Sequence, residues 1–183
     1  MVSELCLSEA LLSAAKEVFE TMIFMELAES SDAEQKIEGD ALLGLITFLG
    51  TYPPPSDGVC TNDGVKTGNE NNIEGVMTIC SGMPCAKAIA ANMLGIDGGE
   101  NLSETEICDA IGEVTNMVMG SVKSRIQGSI SNIAVSIPTV TTGYELHYSP
   151  GEGASKVLIK VNIDDKYITE LSLSYRQRVH NNK

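Results

Sequence analysis

The chain has 183 residues, 43% of them hydrophobic and 20% charged, an ordinary globular composition that can bury a sizeable core within one domain spanning residues 1–183. Twelve basic against twenty-five acidic residues give a formal charge of -13, which opposes phosphate backbones and anionic lipid and argues against nucleic acid or a membrane as partner. The N-terminus lacks a basic segment followed by an apolar one, and no apolar run reaches the roughly 20 residues of a spanning helix, so a cytoplasmic location is expected.

Residues 7–27 place Leu11, Ala15, Val18, Met22 and Met25 on one side and Glu9, Lys16, Glu17 and Glu20 on the other, with no glycine or proline between, which predicts an amphipathic helix. Residues 40–50 follow as an apolar run of strand length. Between 52 and 72, Pro53, Pro54 and Pro55 lead into glycine, asparagine and aspartate turn signals with almost no large apolar residue, which predicts a long mobile loop. A strand over 72–80 and an alanine-rich helix over 84–94 come next, the helix opened by Pro84 and stopped by Gly95.

The following helix has two start signals that agree. Ser103 and Glu106 have capping-box spacing, and Leu102 and Ile107 stand where a hydrophobic staple requires them, so the helix begins at Ser103 and runs to about Ile126. Strands are then predicted over 133–138, 144–148, 156–163 and 167–175, with Asp164, Asp165 and Lys166 turning the last hairpin. This order lacks strict βα alternation and predicts an α+β domain, with long helices packed on a largely antiparallel sheet.

The five cysteines, Cys6, Cys60, Cys80, Cys85 and Cys108, contain no CxxC pair and lie mostly far from the two histidines, so reduced and mostly buried thiols are expected rather than zinc ligands. No cluster of acidic residues has the pattern of an oxygen cage for a metal ion.

On a helix of 3.6 residues per turn, Asp109, Glu113 and Asn116 share one face, while Ile107, Ile111, Val114, Val118 and Val122 form the opposite stripe. Any surface helix shows polar residues opposite an apolar stripe. Gly112 and Gly120 lie on or beside the polar face, where each costs about 1 kcal/mol relative to alanine, which suggests close backbone approach there. Ser13, Glu17 and Glu20 in the first helix repeat the spacing of Asp109, Glu113 and Asn116, and both segments continue with a methionine.

The pattern Asp109-x3-Glu113-x2-Asn116 at the centre of a long capped helix, followed by Pro138, resembles the signature of the CheC/CheX/FliY chemotaxis phosphatases. The order of elements over nearly the whole chain is similar to that family's. The echo has Glu20 where an asparagine is required, so one intact site remains and the chain looks CheX-like. The resemblance implies a phosphatase acting on the aspartyl phosphate of a phosphorylated CheY-type response regulator, and a homodimer joined through strands of the C-terminal half. It implies that Asn116 positions the attacking water, that Glu113 reaches a lysine of the regulator, and that Asp109 supports the same contact. It also implies that the chain binds no cofactor of its own, Mg²⁺ being held by the regulator.

The same fold could serve a non-catalytic partner-binding module of the flagellar-switch kind, or a CheC-like adaptor to a receptor-modifying enzyme. Asn116 separates the binding-only module from an enzyme, since binding alone does not need it. A thiol-dependent enzyme built on Cys108 lacks a nearby histidine in sequence.

Overall fold

In the computed structural model the described residues are 4–30, 36–52, 71–97 and 101–179, and within them three α-helices pack on a seven-stranded antiparallel sheet. The helices are α1 (Glu4–Val18), α2 (Met83–Leu94) and α3 (Glu104–Ile126). The strands are β1 (Leu27–Glu29), β2 (Asp40–Tyr52), β3 (Asn71–Gly82), β4 (Ser131–Val135), β5 (Thr139–Tyr144), β6 (Ser155–Ile163) and β7 (Tyr167–Val179). Their order is β1-β6-β7-β3-β2-β4, with β5 on the same edge of β2 as β4 but nearer its start.

Strand alternation supplies the core. Val157, Ile159, Val161 and Ile163 of β6 are buried, as the sequence pattern requires, and register with Leu173, Leu171, Thr169 and Tyr167 of β7. Met77, Ile79, Leu42, Ile46 and Phe48 extend this layer, and it is covered by Leu7, Leu11 and Phe19 of the first helical segment and by the apolar stripe of α3.

The registers also fix how the two long helices run. Helix α3 starts near Asp40 and passes Thr115 over Gly44, and the chain just beyond its end brings Ile130 beside Gly50, so the helix follows the direction of β2. Helix α1 delivers the chain to Leu27, which pairs with Ile163 at the end of the sheet where α3 begins. The two helices are therefore antiparallel neighbours.

Three sequence expectations need correction. The helix expected over 7–27 keeps α geometry only to Val18; a π turn, Phe19–Ile23, follows, Phe24 takes a left-handed conformation, and Leu27 opens β1. Met25 and Leu27 are buried and so extend the apolar count, but through the turn and strand rather than the helix face. The strand expected over 144–148 does not form: β5 ends where Tyr144 pairs with Asp40, the first residue of β2, and although the Glu145 N–H still donates to the Gly39 carbonyl at 3.1 Å, Glu145 itself is left-handed at φ 47 and turns the chain out of strand geometry. The strand expected over 133–138 forms over Ser131–Val135. Most of the loop expected over 52–72 lies outside the described residues, while Tyr52, Asn71 and Asn72 belong to strands.

Candidate functional site

Local chemistry starts α3 where the sequence places it. Ser103 Oγ accepts from the Glu106 backbone N–H at 3.3 Å, and Glu106 Oε2 accepts from the Ser103 N–H at 2.8 Å, so two otherwise unpaired groups satisfy each other. The Ser103 hydroxyl, which donates to Glu106 Oε2 at 2.6 Å, and then the Ser103 backbone N–H hold the Glu106 carboxyl below its ordinary value. Ile107, Ile111, Val114, Val118 and Val122 are all buried, which fixes the rotation of the helix.

That rotation turns Asp109, Glu113 and Asn116 outward together, as expected, and all three are exposed. Among the described residues, none of the three makes a hydrogen bond or an ion pair. Pro138 reaches the same region from the turn before β5: a β-carbon on Gly112 would stand 3.8 Å from Pro138 Cγ and 3.6 Å from Val140 Cγ2. Those are ordinary contacts, so the close approach expected at Gly112 is mild, and at Gly120 nothing lies within 4 Å. The tight approach is on the opposite side of the helix, at Gly44, where an added β-carbon would stand 2.2 Å from Thr115 Oγ1. No periodicity argument singles out Gly44.

The echo in α1 is arranged differently. Ser13, Glu17 and Glu20 are exposed, but the Glu17 carboxylate accepts from Ser121 Oγ at 2.5 Å and pairs with Arg125 Nη1 at 3.0 Å. Arg125 also donates to Ser121 Oγ, closing a three-residue network. The Ser121 bond and then the Arg125 charge hold the Glu17 carboxyl below its ordinary value. Glu17 thus ties α1 to α3, whereas Glu113, its counterpart in the echo, makes no such pair among the described residues.

Thiol chemistry has little support. Cys108 is half-buried, and its thiol is pushed up by burial and by the negative charges of Glu104 and Asp109, which disfavours the nucleophilic thiolate. Cys80 and Cys85 are buried and free, as expected, but Cys6 is exposed, and Cys60 lies outside the described residues. Among the described residues, no group of three or more His, Cys, Asp or Glu side chains could hold a metal ion. No helix among them is long and apolar enough to cross a membrane.

With this geometry in place, the family comparison is decisive. Residues 65–162, more than half of the chain, match the model of the chemotaxis phosphatase CheX. The chain belongs to the CheX family. The matched segment includes α3 and Pro138 and leaves out α1 and the π turn after it, where Glu20 departs from the pattern. Solved structures share the CheX fold. A chemotaxis protein CheX from Vibrio vulnificus is 22% identical, with a TM-score of 0.67 and coverage of 93% of this chain and 96% of that one. A chemotactic CheC-like protein from Shewanella oneidensis is 20% identical, with a TM-score of 0.67 and coverage of 95% and 100%. CheX in a CheX–CheY–BeF3–Mg²⁺ complex from Borrelia burgdorferi is 15% identical, with a TM-score of 0.60 and coverage of 92% and 96%. Comparison with curated proteins returns no match.

Proposed function

We propose that this CheX-family chain accelerates hydrolysis of the aspartyl phosphate of a CheY-type response regulator, with Asn116 and Glu113 as the working pair. The observation that carries the reading is that these two exposed side chains, one turn apart on a capped helix with a buried apolar stripe, make no hydrogen bond or ion pair among the described residues. An acyl phosphate is already reactive toward water, so the catalyst's task is positioning and charge management rather than nucleophilic attack. The Asn116 carboxamide can accept a hydrogen bond from water while donating one to a phosphoryl or carboxylate oxygen, which holds the attacking oxygen in line. A carboxylate in that place would bring like charge toward the phosphoryl group, which accounts for one active helix and one structural one.

Glu113 is suited to a charge-assisted bond with a lysine of the regulator, and Asp109, one turn earlier, supports the same contact. Mg²⁺ enters in this reading with the regulator. The complex of a related CheX with CheY, fluoroberyllate and Mg²⁺ supports a partner of this class. A binding-only role would leave Asn116 without a task.

We also propose that the chain is a homodimer. Among the described residues, β1 registers with residues 161–163 of β6 and the Ser30 N–H donates to the Lys160 carbonyl, while residues 155–159 register only with β7, which offers an edge to a second copy. Strand β7, the other strand of this C-terminal hairpin, lies inside the sheet between β6 and β3. Light scattering at micromolar concentration tests the dimer, and a monomer mass would exclude it. Release of phosphate from phosphorylated CheY-type regulators, with and without the protein, tests the activity; decay unchanged by the protein for every regulator tried would remove the reading.

A further inference from the structure

Three large apolar side chains around the free polar face make little contribution to the core. Met22 is 58% exposed and Phe24 is 79% exposed, both at the end of the α1 segment, and Ile137 is 85% exposed beside Pro138. Phe24 is unusual twice over. It stands at φ 60 and ψ 38, a left-handed conformation in which a bulky residue is strained, and it follows a π turn, an irregularity concentrated at functional sites. A glycine would cap this helix end without strain. The chain instead holds an aromatic ring there and leaves it in solvent.

These side chains flank the face on opposite sides. Thr21 and Met22 line a groove with Gly120 and Ser121, and Gly120 is four residues beyond Asn116. Phe24 follows Met22 by two residues, at the end of the π turn, and so leaves the helix on the α1 side of the face. On the other flank, Pro138 lies against Gly112, the residue before Glu113, and presents Ile137 next to it. Apolar projections enclosing a small set of unpaired polar groups on a convex helix surface fit a folded protein partner better than a small molecule, which requires a concave site.

We infer that Phe24 and Ile137 are apolar anchors that seat the response regulator on either side of Glu113 and Asn116. This rests on the proposed function and adds to it the residues that supply docking affinity. The Glu113 carboxylate, which makes no ion pair among the described residues, complements a partner that presents a lysine at its phosphorylation site. The apolar flanks then supply affinity that salt does not screen.

The test uses a fluoroberyllate-activated CheY-type regulator for binding and the phosphorylated regulator for turnover, with wild type, Phe24→Gly, Phe24→Tyr and Ile137→Ser. Phe24→Gly and Ile137→Ser are expected to weaken binding about tenfold each and to raise KM with kcat little changed. Phe24→Tyr keeps a ring and is expected to retain affinity. The melting temperature of Phe24→Gly should equal or exceed that of wild type, because strain is relieved. Binding as tight as wild type in both Phe24→Gly and Ile137→Ser would overturn the inference while leaving the phosphatase reading intact. A lowered melting temperature in Phe24→Gly, with parallel losses in kcat and KM performance, would assign the ring a structural role and overturn it too. Wild-type protein that neither binds nor hydrolyses the regulator would bring down the phosphatase reading and this inference together.

Discussion

Thr115 lies directly over Gly44: a β-carbon on Gly44 would stand 2.2 Å from Thr115 Oγ1 and 3.2 Å from Ile111 Cγ2. The absence of a side chain on β2 thus lets α3 sit close to the sheet, and Thr115 immediately precedes Asn116. Gly44→Ala must displace the helix or force the Thr115 side chain off its bond to the Ile111 carbonyl, which it makes at 2.7 Å. The expected cost is about 1–3 kcal/mol in denaturant unfolding, with reduced phosphatase turnover because Asn116 moves with its neighbour. Adding Thr115→Ala removes the clashing oxygen and should recover part of the stability. An unchanged unfolding midpoint in Gly44→Ala would show that the helix has room to spare.

The Glu17 network predicts an acid limb with a definite sign. The Ser121 hydroxyl and the Arg125 charge lower the folded-state value of the Glu17 carboxyl from 4.5, so its contribution is present above the unfolded value and is lost as pH falls through the folded one. Glu17 is solvent-exposed, so the effect is small. Glu17→Gln should flatten the loss of stability between about pH 5 and pH 3, read from unfolding midpoints across that range. Phosphatase activity near neutral pH should be unaffected. A large loss of activity in a well-folded Glu17 variant would mean that the first helix holds a second site.

Burial makes a prediction for the cysteines. Cys80 is pushed up to about 11 by burial, with a further push from Glu170, and Cys85 is raised by burial in the same direction. Both remain protonated and inert at ordinary pH. Iodoacetamide at about pH 8 should label exposed Cys6 in the native protein and reach Cys80 and Cys85 only after unfolding, with peptide masses giving the order. Labelling of Cys80 at the rate of Cys6 would show that the sheet opens readily.

The parts of this molecule legible in the sequence are those set by local rules. The start of α3 was readable because the Ser103 and Glu106 capping box is a contact over three residues, and the outward turn of Asp109, Glu113 and Asn116 followed from helical period and the opposed apolar stripe. The β6–β7 hairpin was readable from strict alternation and a turn at Asp164 and Asp165. What stayed hidden depends on partners distant in sequence. Tyr144 ends a strand only because Asp40 begins one, Leu27 is a strand residue only because Ile163 lies beside it, and Gly44 matters only because Thr115 is above it. The bond between Glu17 and Arg125 likewise appears once α1 and α3 are neighbours, and it distinguishes Glu17 from Glu113, which makes no such pair among the described residues.

That distinction leads to the test of the proposed chemistry. If Asn116 positions water and contributes little to docking, Asn116→Ala should remove most of the acceleration while the regulator still binds, as for an interaction made mainly in the transition state. If Glu113 contacts a lysine of the regulator, Glu113→Ala should weaken association and turnover together, and the remaining association should depend less on salt because one attractive charge pair has gone. Both side chains are exposed and form no hydrogen bond or ion pair among the described residues, so neither change should lower the melting temperature by more than the small shift typical of surface substitutions. The two variants therefore separate binding from chemistry on a fold that is held constant. Decay of the phosphorylated regulator, followed over a range of protein concentrations, supplies both parameters. Near-wild-type decay with Asn116→Ala would remove the water-positioning role, and salt dependence unchanged by Glu113→Ala would remove the lysine contact.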